Sequence, residues 1–459
     1  MTAQTQDSSS LAVGTPSQQL SVIVGLGKTG LACARYFARQ GLPFAVQDSN
    51  PSPANLAQLQ AIAPLVVCSP LEAGALCAAA QVVLSPGVPL ATHEVQRAIM
   101  AGVKVTGDIN IFLQLADKPV IGITGSNGKS TVTTMVGELL AASGLAVGVG
   151  GNIGTPCLDL LGKGSEIYVL ELSSYQLEVV EMAACEIAVV LNLSPDHLDR
   201  YPSVNAYYGA KERVYKGARM ALVSRQLPVE LHTDRVSKVI SFGDDAPLTS
   251  DSYGLRAEGA RLFLARGATN LLAVDQLRLK GRHNAMNALV ALAIGELLGI
   301  DLAVIRQTLQ AFPGLPHRCE VVGTFAGAEF INDSKATNPG ATRAAIEGLA
   351  ESGRPLVLIL GGVGKGADFQ QLQAVIRQHV TRVYLYGADA AVINRAIAGC
   401  VGITRMNNLA EVITSLALEL QKLPRAMVLF APACASFDQY QNFEHRGQEF
   451  KRLVLEAFP

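Results

Sequence analysis

No excess of either charge sign marks this chain. Across 459 residues, 37 lysines and arginines face 38 acids, for a formal net charge of −1. That excludes the electrostatic footprint of a nucleic-acid binder and of a protein drawn to anionic membrane. No apolar run reaches the ~18 residues needed to span a bilayer. The eight cysteines, at 33, 68, 77, 157, 185, 319, 400 and 434, never form a paired C-x-x-C. Their scatter argues against a zinc site and for reduced thiols in a cytoplasmic protein. Residues 1–19 are rich in Ser, Thr and Gln and lack the basic start and apolar centre of a signal peptide. They read as a disordered extension. No internal repeat of fixed period is visible.

What is present is apolar residue, glycine and proline in quantity: 49% hydrophobic, 43 Gly and 21 Pro. Sizeable cores with many turns suit strand–helix alternation better than a helical bundle. The length fits three domains of ~150 residues. Short β-branched runs recur at 21–24, 44–47, 82–84, 120–124, 167–172, 187–193, 356–360, 383–386 and 427–430. Each ends in a polar or glycine-rich loop before a helical stretch, as parallel strands covered on both faces do. The expected fold is α/β in three domains. A Rossmann-like domain spans 20–108, a central P-loop ATPase domain with a mainly parallel sheet spans 109–312, and a Rossmann-like α/β domain spans 313–459. Residues 108–119 and the Pro/Gly-rich 310–316 are the expected linkers. Between 213 and 279 the pattern turns to short strands, an antiparallel subsheet or an insertion.

The strongest chemical signal is Gly125-Ser126-Asn127-Gly128-Lys129-Ser130-Thr131, between the run 120–124 and a helix-compatible stretch. Such a turn aims backbone N–H groups and the positive end of a helix dipole at one spot, and Lys129 adds a full charge. Ser130 or Thr131 can place a hydroxyl on the magnesium that accompanies ATP. The loop is the shorter Gly-x-x-Gly-Lys-Ser form, because Ile123 stands where the longer form has glycine.

Near the N-terminus, Gly25-Leu26-Gly27-Lys28-Thr29-Gly30 is a GxGxxG after a strand, and Asp48 ends the next strand. Such a pair suits NAD, another nucleotide diphosphate, or simply close helix packing. Ser85-Pro86-Gly87 is a further turn after a strand. Glu171 ends the run 167–172 and the segment Ser194-Pro195-Asp196-His197 follows the run 187–193, where an acid and a histidine suit magnesium and substrate or merely cap a turn. Lys211 reads as a solvated helix lysine. Asn284 and Asn287 open another helix, as base contacts or caps. Asn332-Asp333-Ser334-Lys335-Ala336-Thr337-Asn338 gathers polar residues at a strand end, and Gly361-Gly362-Val363-Gly364-Lys365 repeats the glycine-plus-lysine design. Without a following Ser or Thr, the second is a better carboxylate cradle than a nucleotide loop.

Taken in order, GSNGKST, GGNIG at 150–154, ELSSYQ at 171–176, DHLDRYP at 196–202, GLPHRCE at 314–320, NDSKATN at 332–338 and APACASFDQYQNFEHRG at 431–447 resemble the Mur ligases of peptidoglycan synthesis. The resemblance runs from residue 21 to the C-terminus, and the last three motifs are most similar to the D-glutamate-adding branch. It implies a cytoplasmic, monomeric ATP-dependent ligase with two magnesium sites, acting on UDP-N-acetylmuramoyl-L-alanine and D-glutamate through an acyl phosphate. By resemblance, Gly125 to Thr131, Asn287, Arg318 and Asp333 hold ATP. Ser130 and Glu171 bind one magnesium, and His197 with a carbamylated Lys211 binds a second. Lys28, Thr29, Asp48, Ser49, Gly87, Asn152 and His197 take the UDP substrate. Lys335, Thr337, Lys365, Ser436, Phe437 and Phe443 hold D-glutamate. Val363 departs from the family by replacing an acid found in some relatives, and Lys28 stands where relatives are often apolar.

Overall fold

The computed structural model describes residues 20–458 except 230, 231, 234, 235, 280, 351, 421, 422 and 424. The extension expected over 1–19 lies outside the described residues. The chain forms two compact units, Met1–Ile111 and Phe112–Pro459.

In the first unit, β1 (Ser21–Val24), β2 (Phe44–Gln47), β3 (Cys68–Ser69), β4 (Gln81–Leu84) and β5 (Lys104–Thr106) form one parallel sheet. Its order, β3-β2-β1-β4-β5, reverses between β1 and β4. That reversal opens a crevice at the carboxyl ends of the strands, where α/β sheets bind ligands. All four β1 residues are buried, which is why the run is apolar on both faces. The glycine loop follows β1 into helix Lys28–Arg39. A Cβ on Gly30 would sit 1.9 Å from the Gly25 carbonyl oxygen, so the loop closes only with glycine there. Gly30→Ala is expected to lower the melting temperature by at least ~4 °C, since overpacking against backbone costs about 1–3 kcal/mol. Scanning calorimetry checks this, and an unchanged transition contradicts the packing argument.

Most of the expected linker at 108–119 is instead helix Asp108–Leu115. Its acid favours the helix N-terminus, and buried Ile109 and Phe112 give the segment an apolar side.

The second unit contains two sheets. Strands β6 (Val120–Thr124), β7 (Val147–Gly151), β8 (Ile167–Glu171), β9 (Ile187–Val190), β10 (Met220–Ser224), β11 (Lys238–Phe242), β12 (Tyr253–Glu258), β13 (Arg261–Arg266) and β14 (Thr269–Ala273) make the first. Their order is β14-β13-β12-β11-β10-β9-β6-β8-β7. Within the segment 213–279, β10, β11 and β12 continue the parallel array, and the expected antiparallel pairing is confined to β12–β13 and β13–β14 at its edge. Helix Arg282–Leu297 is buried nearly all round, as a helix in the middle of a core must be. Strand β6 is flanked by β8 and β9, so the loops after these three strands meet at one edge.

The other sheet holds β15 (Glu320–Phe325), β16 (Ala328–Asn332), β17 (Leu356–Gly361), β18 (Arg382–Tyr386), β19 (Gly402–Arg405) and β20 (Met427–Phe430), in the order β15-β16-β20-β17-β18-β19. All neighbours are parallel except β15 and β16. The two-residue period of a strand sends Leu358 and Leu360 to one apolar cluster and Val357 and Ile359 to another, so both faces are covered. Helix Leu302–Ala311 stops two residues before Pro313, at the expected second linker.

Candidate active site

The glycine loop at 125–128 leaves β6 and enters helix Lys129–Ala142 with Gly128 as its N-cap at φ +83°. A side chain on Gly128 would meet Asn287 Oδ1 at 2.6 Å as well as strain the backbone. Asn192, just past β9, pins the loop: its carbonyl accepts from the Ser126 N–H at 2.9 Å and its Oδ1 from the Asn127 N–H at 2.8 Å. The Lys129 ammonium curls back onto the carbonyls of Gly125 (2.8 Å) and Ser126 (3.0 Å). Burial pushes its pKa down, opposed by Glu171 and reinforced by Arg318.

A cavity of ≈ 660 Å³ opens over this loop. It is lined by Ser126 to Thr131, Asn152, Glu171, His197, Lys211, Asn287, Arg318, Asp333, Lys335 and Thr337, so most of the expected catalytic and nucleotide residues meet in one place. Glu171, at the end of β8, is buried. Its Oε1 accepts from Asn152 Nδ2 at 2.7 Å, while Oε2 is buried without a hydrogen-bond partner. An unsatisfied buried carboxylate oxygen is costly in isolation and suits a cation. Ser130 Oγ accepts from Arg318 Nη2 at 2.8 Å. Among the described residues, no group of three or more His, Cys, Asp or Glu side chains is placed to hold a metal by itself. A magnesium here would need substrate phosphates and water to complete its shell, which is its usual habit.

Lys211 is buried on helix Val204–Glu212, against the expectation of a solvated lysine. Its Nζ donates to the same Gly125 carbonyl as Lys129 does, at 2.8 Å. Burial first, and the Lys129 charge second, hold its pKa well below the ordinary lysine value. His197 adopts φ +54°, uncommon for a residue with a Cβ. Its Nδ1 lies 2.6 Å from the Tyr175 hydroxyl, and its Nε2 is 3.7 Å from Asp196 Oδ2. Burial lowers the imidazole pKa, countered by Asp196.

From the other sheet of this unit, the loop after β16 supplies Asp333, Lys335, Thr337 and Asn338. Asn338 Nδ2 donates to Asp196 Oδ2 at 3.1 Å, joining this loop to the one after β9. Burial pushes Lys335 down to about 8, and its Nζ sits 3.7 Å from the centre of the Phe443 ring. Lys365, Ser436, Phe437 and Phe443 are not among the cavity's lining. Their loops do meet: Val363 and Ala435 exchange backbone hydrogen bonds of 2.9 Å, and Lys365 Nζ lies 5.9 Å from the Phe437 ring. Ser436 is buried and Phe437 is 68% exposed.

Burial raises the Asp333 carboxyl to about 6, with Arg318 working against the shift. That folded value exceeds the ~3.9 of an unfolded aspartate. The fold therefore grips the proton more tightly, a contribution complete below about pH 4 and lost as pH rises through 6. Asp333→Asn is expected to flatten that loss, so its melting temperature should gain on wild type between pH 4 and 7. A difference independent of pH in that window contradicts the assignment.

In the first unit, Asp48 accepts from the Leu26 N–H at 2.6 Å and the Asn50 N–H at 2.8 Å, so its carboxylate already organises the glycine loop. Lys28, Ser49 and Gly87 are exposed and Thr29 is half-buried, around the same edge of the sheet. Three further residues have roles that the sequence did not assign. Asn192 has no signal beyond its place after a strand. Tyr207 hydrogen-bonds Ser126 Oγ at 3.1 Å, and Arg446 is fully buried, binding the carbonyls of Ser334 and Cys434.

Three family models match the chain: "Mur ligase MurD-like, N-terminal domain" over residues 19–107, "Mur ligase middle domain" over 123–295 and "Mur ligase, glutamate ligase domain" over 317–434. The UDP-N-acetylmuramoylalanine–D-glutamate ligase of Pseudomonas aeruginosa is 45% identical over 445 residues, covering 96% of this chain and 98% of its own. That of Pseudomonas fluorescens strain Pf-5 is 43% identical over 451 residues, covering 96% and 98%. Among solved structures, the UDP-N-acetylmuramate-alanine ligase of Thermotoga maritima shares the fold at TM-score 0.59 and 19% identity, over 96% of this chain and all of its own. The folylpolyglutamate synthase of Mycobacterium tuberculosis shares it at TM-score 0.59 and 18% identity, over 75% of this chain and 94% of its own.

Proposed function

Since the chain belongs to the Mur ligase family, we propose that it joins D-glutamate to UDP-N-acetylmuramoyl-L-alanine with ATP, a step of peptidoglycan precursor synthesis. The observation that carries this reading is one cavity in which a phosphate-binding loop, Glu171, Lys211 and Lys335 converge. In the first step the L-alanyl carboxylate attacks the γ-phosphorus, giving an acyl phosphate and ADP. In the second the D-glutamate amine attacks the acyl carbon, and inorganic phosphate leaves as the new amide nitrogen sheds its proton. Phosphoryl transfer asks for positioning and charge neutralisation, and acyl transfer for a stabilised tetrahedral intermediate.

The residues divide accordingly. Lys129 and the loop amides hold the β- and γ-phosphates, while Asn287, Arg318 and Asp333 hold the rest of the nucleotide. Magnesium, when bound, neutralises phosphate charge; Ser130 and Glu171 would hold one ion, and His197 with a carbamylated Lys211 would hold a second. The fit rests on the unsatisfied Glu171 Oε2 and on a Lys211 amine that is easily left uncharged. Lys28, Thr29, Asp48, Ser49 and Gly87 take the uridine diphosphate, and Asn152 reaches the muramoyl portion. We read the protein as a cytoplasmic monomer with domains at 20–108, 109–312 and 313–459. No described helix is long and apolar enough to cross a membrane.

D-glutamate presents two carboxylates and one amine, which calls for two cradles. Lys335 with Thr337 forms one, and Lys365 with Ser436 forms the other, with Phe437 and Phe443 beside the lysines. A substrate lacking one carboxylate leaves a cradle unpaired, so discrimination is strong. The expected outcome is amide product with D-glutamate and none with D-alanine, lysine or diaminopimelate. Equal rates with L-glutamate would instead support a folate-type glutamate ligase.

A further inference from the structure

We propose that Tyr175 is a positioning residue for His197: its hydroxyl oxygen accepts the Nδ1 proton and leaves the Nε2 lone pair facing the cavity. The inference rests on the reading of His197 as a metal-holding group, but the ring's orientation can be tested without metal. The Tyr175 hydroxyl and His197 Nδ1 are 2.6 Å apart, and both side chains line the cavity. The other ring nitrogen lies 3.7 Å from Asp196 Oδ2, beyond hydrogen-bond range. At that distance Asp196 does not hold a proton on Nε2 by a hydrogen bond. A ligating histidine needs its second nitrogen fixed by a partner in this way, because the hydrogen bond selects both the tautomer and the ring plane.

Tyr175 is itself held. The Arg200 guanidinium lies 4.0 Å from the centre of its ring, and Arg200 Nη2 pairs with Glu178 Oε2 at 2.7 Å. Both partners of that ion pair are largely shielded, at 9% and 12% side-chain exposure, so salt screens it weakly. Sequence and fold explain the convergence. Tyr175 and Glu178 sit on and just after the single turn Ser174–Leu177 that follows β8, which a Ser173–Gln176 capping box holds in place. His197 and Arg200 lie on the loop that follows β9. The left-handed backbone of His197 fixes where its ring starts, and the phenol fixes how the ring is turned. A phenylalanine at 175 would keep the packing on Arg200 and lose only the hydroxyl.

The test is Tyr175→Phe read two ways. In the metal-free protein labelled at histidine nitrogens, long-range proton–nitrogen spectra report which ring nitrogen of His197 carries the proton, with His197→Gln assigning the signal. The expected wild-type spectrum shows Nδ1 protonated and Nε2 bare, and Tyr175→Phe should give a mixture of the two tautomers. In steady-state assays the variant should need about 10–100-fold more magnesium for half-maximal rate. Its kcat at saturating magnesium should stay within about threefold of wild type. A protonated Nε2 in wild type overturns the proposal. So does a variant with wild-type magnesium dependence, or one whose kcat and melting temperature fall together without a magnesium shift. Loss of the ligase reading would leave the tautomer result standing, so the two failures are distinguishable.

Discussion

Replacing Lys129 with alanine is expected to cut phosphate release to less than a hundredth of wild type while leaving the fold intact. The ammonium bridges the Gly125 and Ser126 carbonyls at the mouth of the helix and faces the cavity. A charge-assisted hydrogen bond contributes about 1.5–3 kcal/mol, a factor of at least ~10 in rate. Stabilisation of charge that develops in the transition state multiplies that, typically by ~100 or more for one donor. Lys211 does not substitute, because burial disfavours its charged form. Lys129→Met, which keeps the aliphatic stem, should fail equally, separating charge from packing. Circular dichroism establishes folding, and a phosphate-release assay establishes turnover. Retention of more than about a tenth of wild-type activity contradicts the clamp.

Lys211→Ala carries the second large effect, and its argument begins with an electrostatic conflict. Two lysines donate to one carbonyl oxygen inside a buried site, and the cheaper solution is for one of them to lose its charge. A neutral amine adds carbon dioxide, forming an N–C bond and releasing a proton, and the resulting carbamate is an anion beside Lys129. That would convert a repulsive pair into an attractive one and would supply an oxygen ligand on the His197 side of the cavity. The variant should retain less than ~1% of wild-type activity, and millimolar formate or acetate should restore part of it by occupying the vacated place. Carbon-13 spectra with labelled bicarbonate should show a carbamate signal in wild type that is absent from Lys211→Ala. No such signal, together with no rescue, contradicts the assignment.

Lys211 also shows where the sequence stops being readable. Strands such as 21–24, 44–47, 120–124 and 427–430 stand out because burial on both faces forces runs of β-branched residues, and the structure places strands over those residues. The nucleotide loop stands out because its glycines are demanded by backbone geometry at Gly128. The roles of Asn192, Tyr175 and Arg446 do not stand out, since each acts on partners far away in the chain. Arg446 lies in a quoted motif, but that motif does not reveal that its guanidinium is buried and binds Ser334, 112 residues distant. The helix at Asp108–Leu115 was hidden for the opposite reason: it is short, and the proline at 119 beyond it suggests a linker. Asp48 was legible as a site residue, but its bonds to Leu26 and Asn50 add a structural duty that spacing does not reveal.

The central claim is that ATP cleavage in the cavity over Gly125–Thr131 is coupled to amide formation. Measuring phosphate and amide together, with each substrate omitted in turn, tests it most directly. The account predicts one phosphate per amide when ATP, UDP-N-acetylmuramoyl-L-alanine and D-glutamate are all present. It also predicts sustained phosphate release falling to background when either co-substrate is left out. Phosphate released at the full rate with ATP alone, or without a matching amide product, would contradict it.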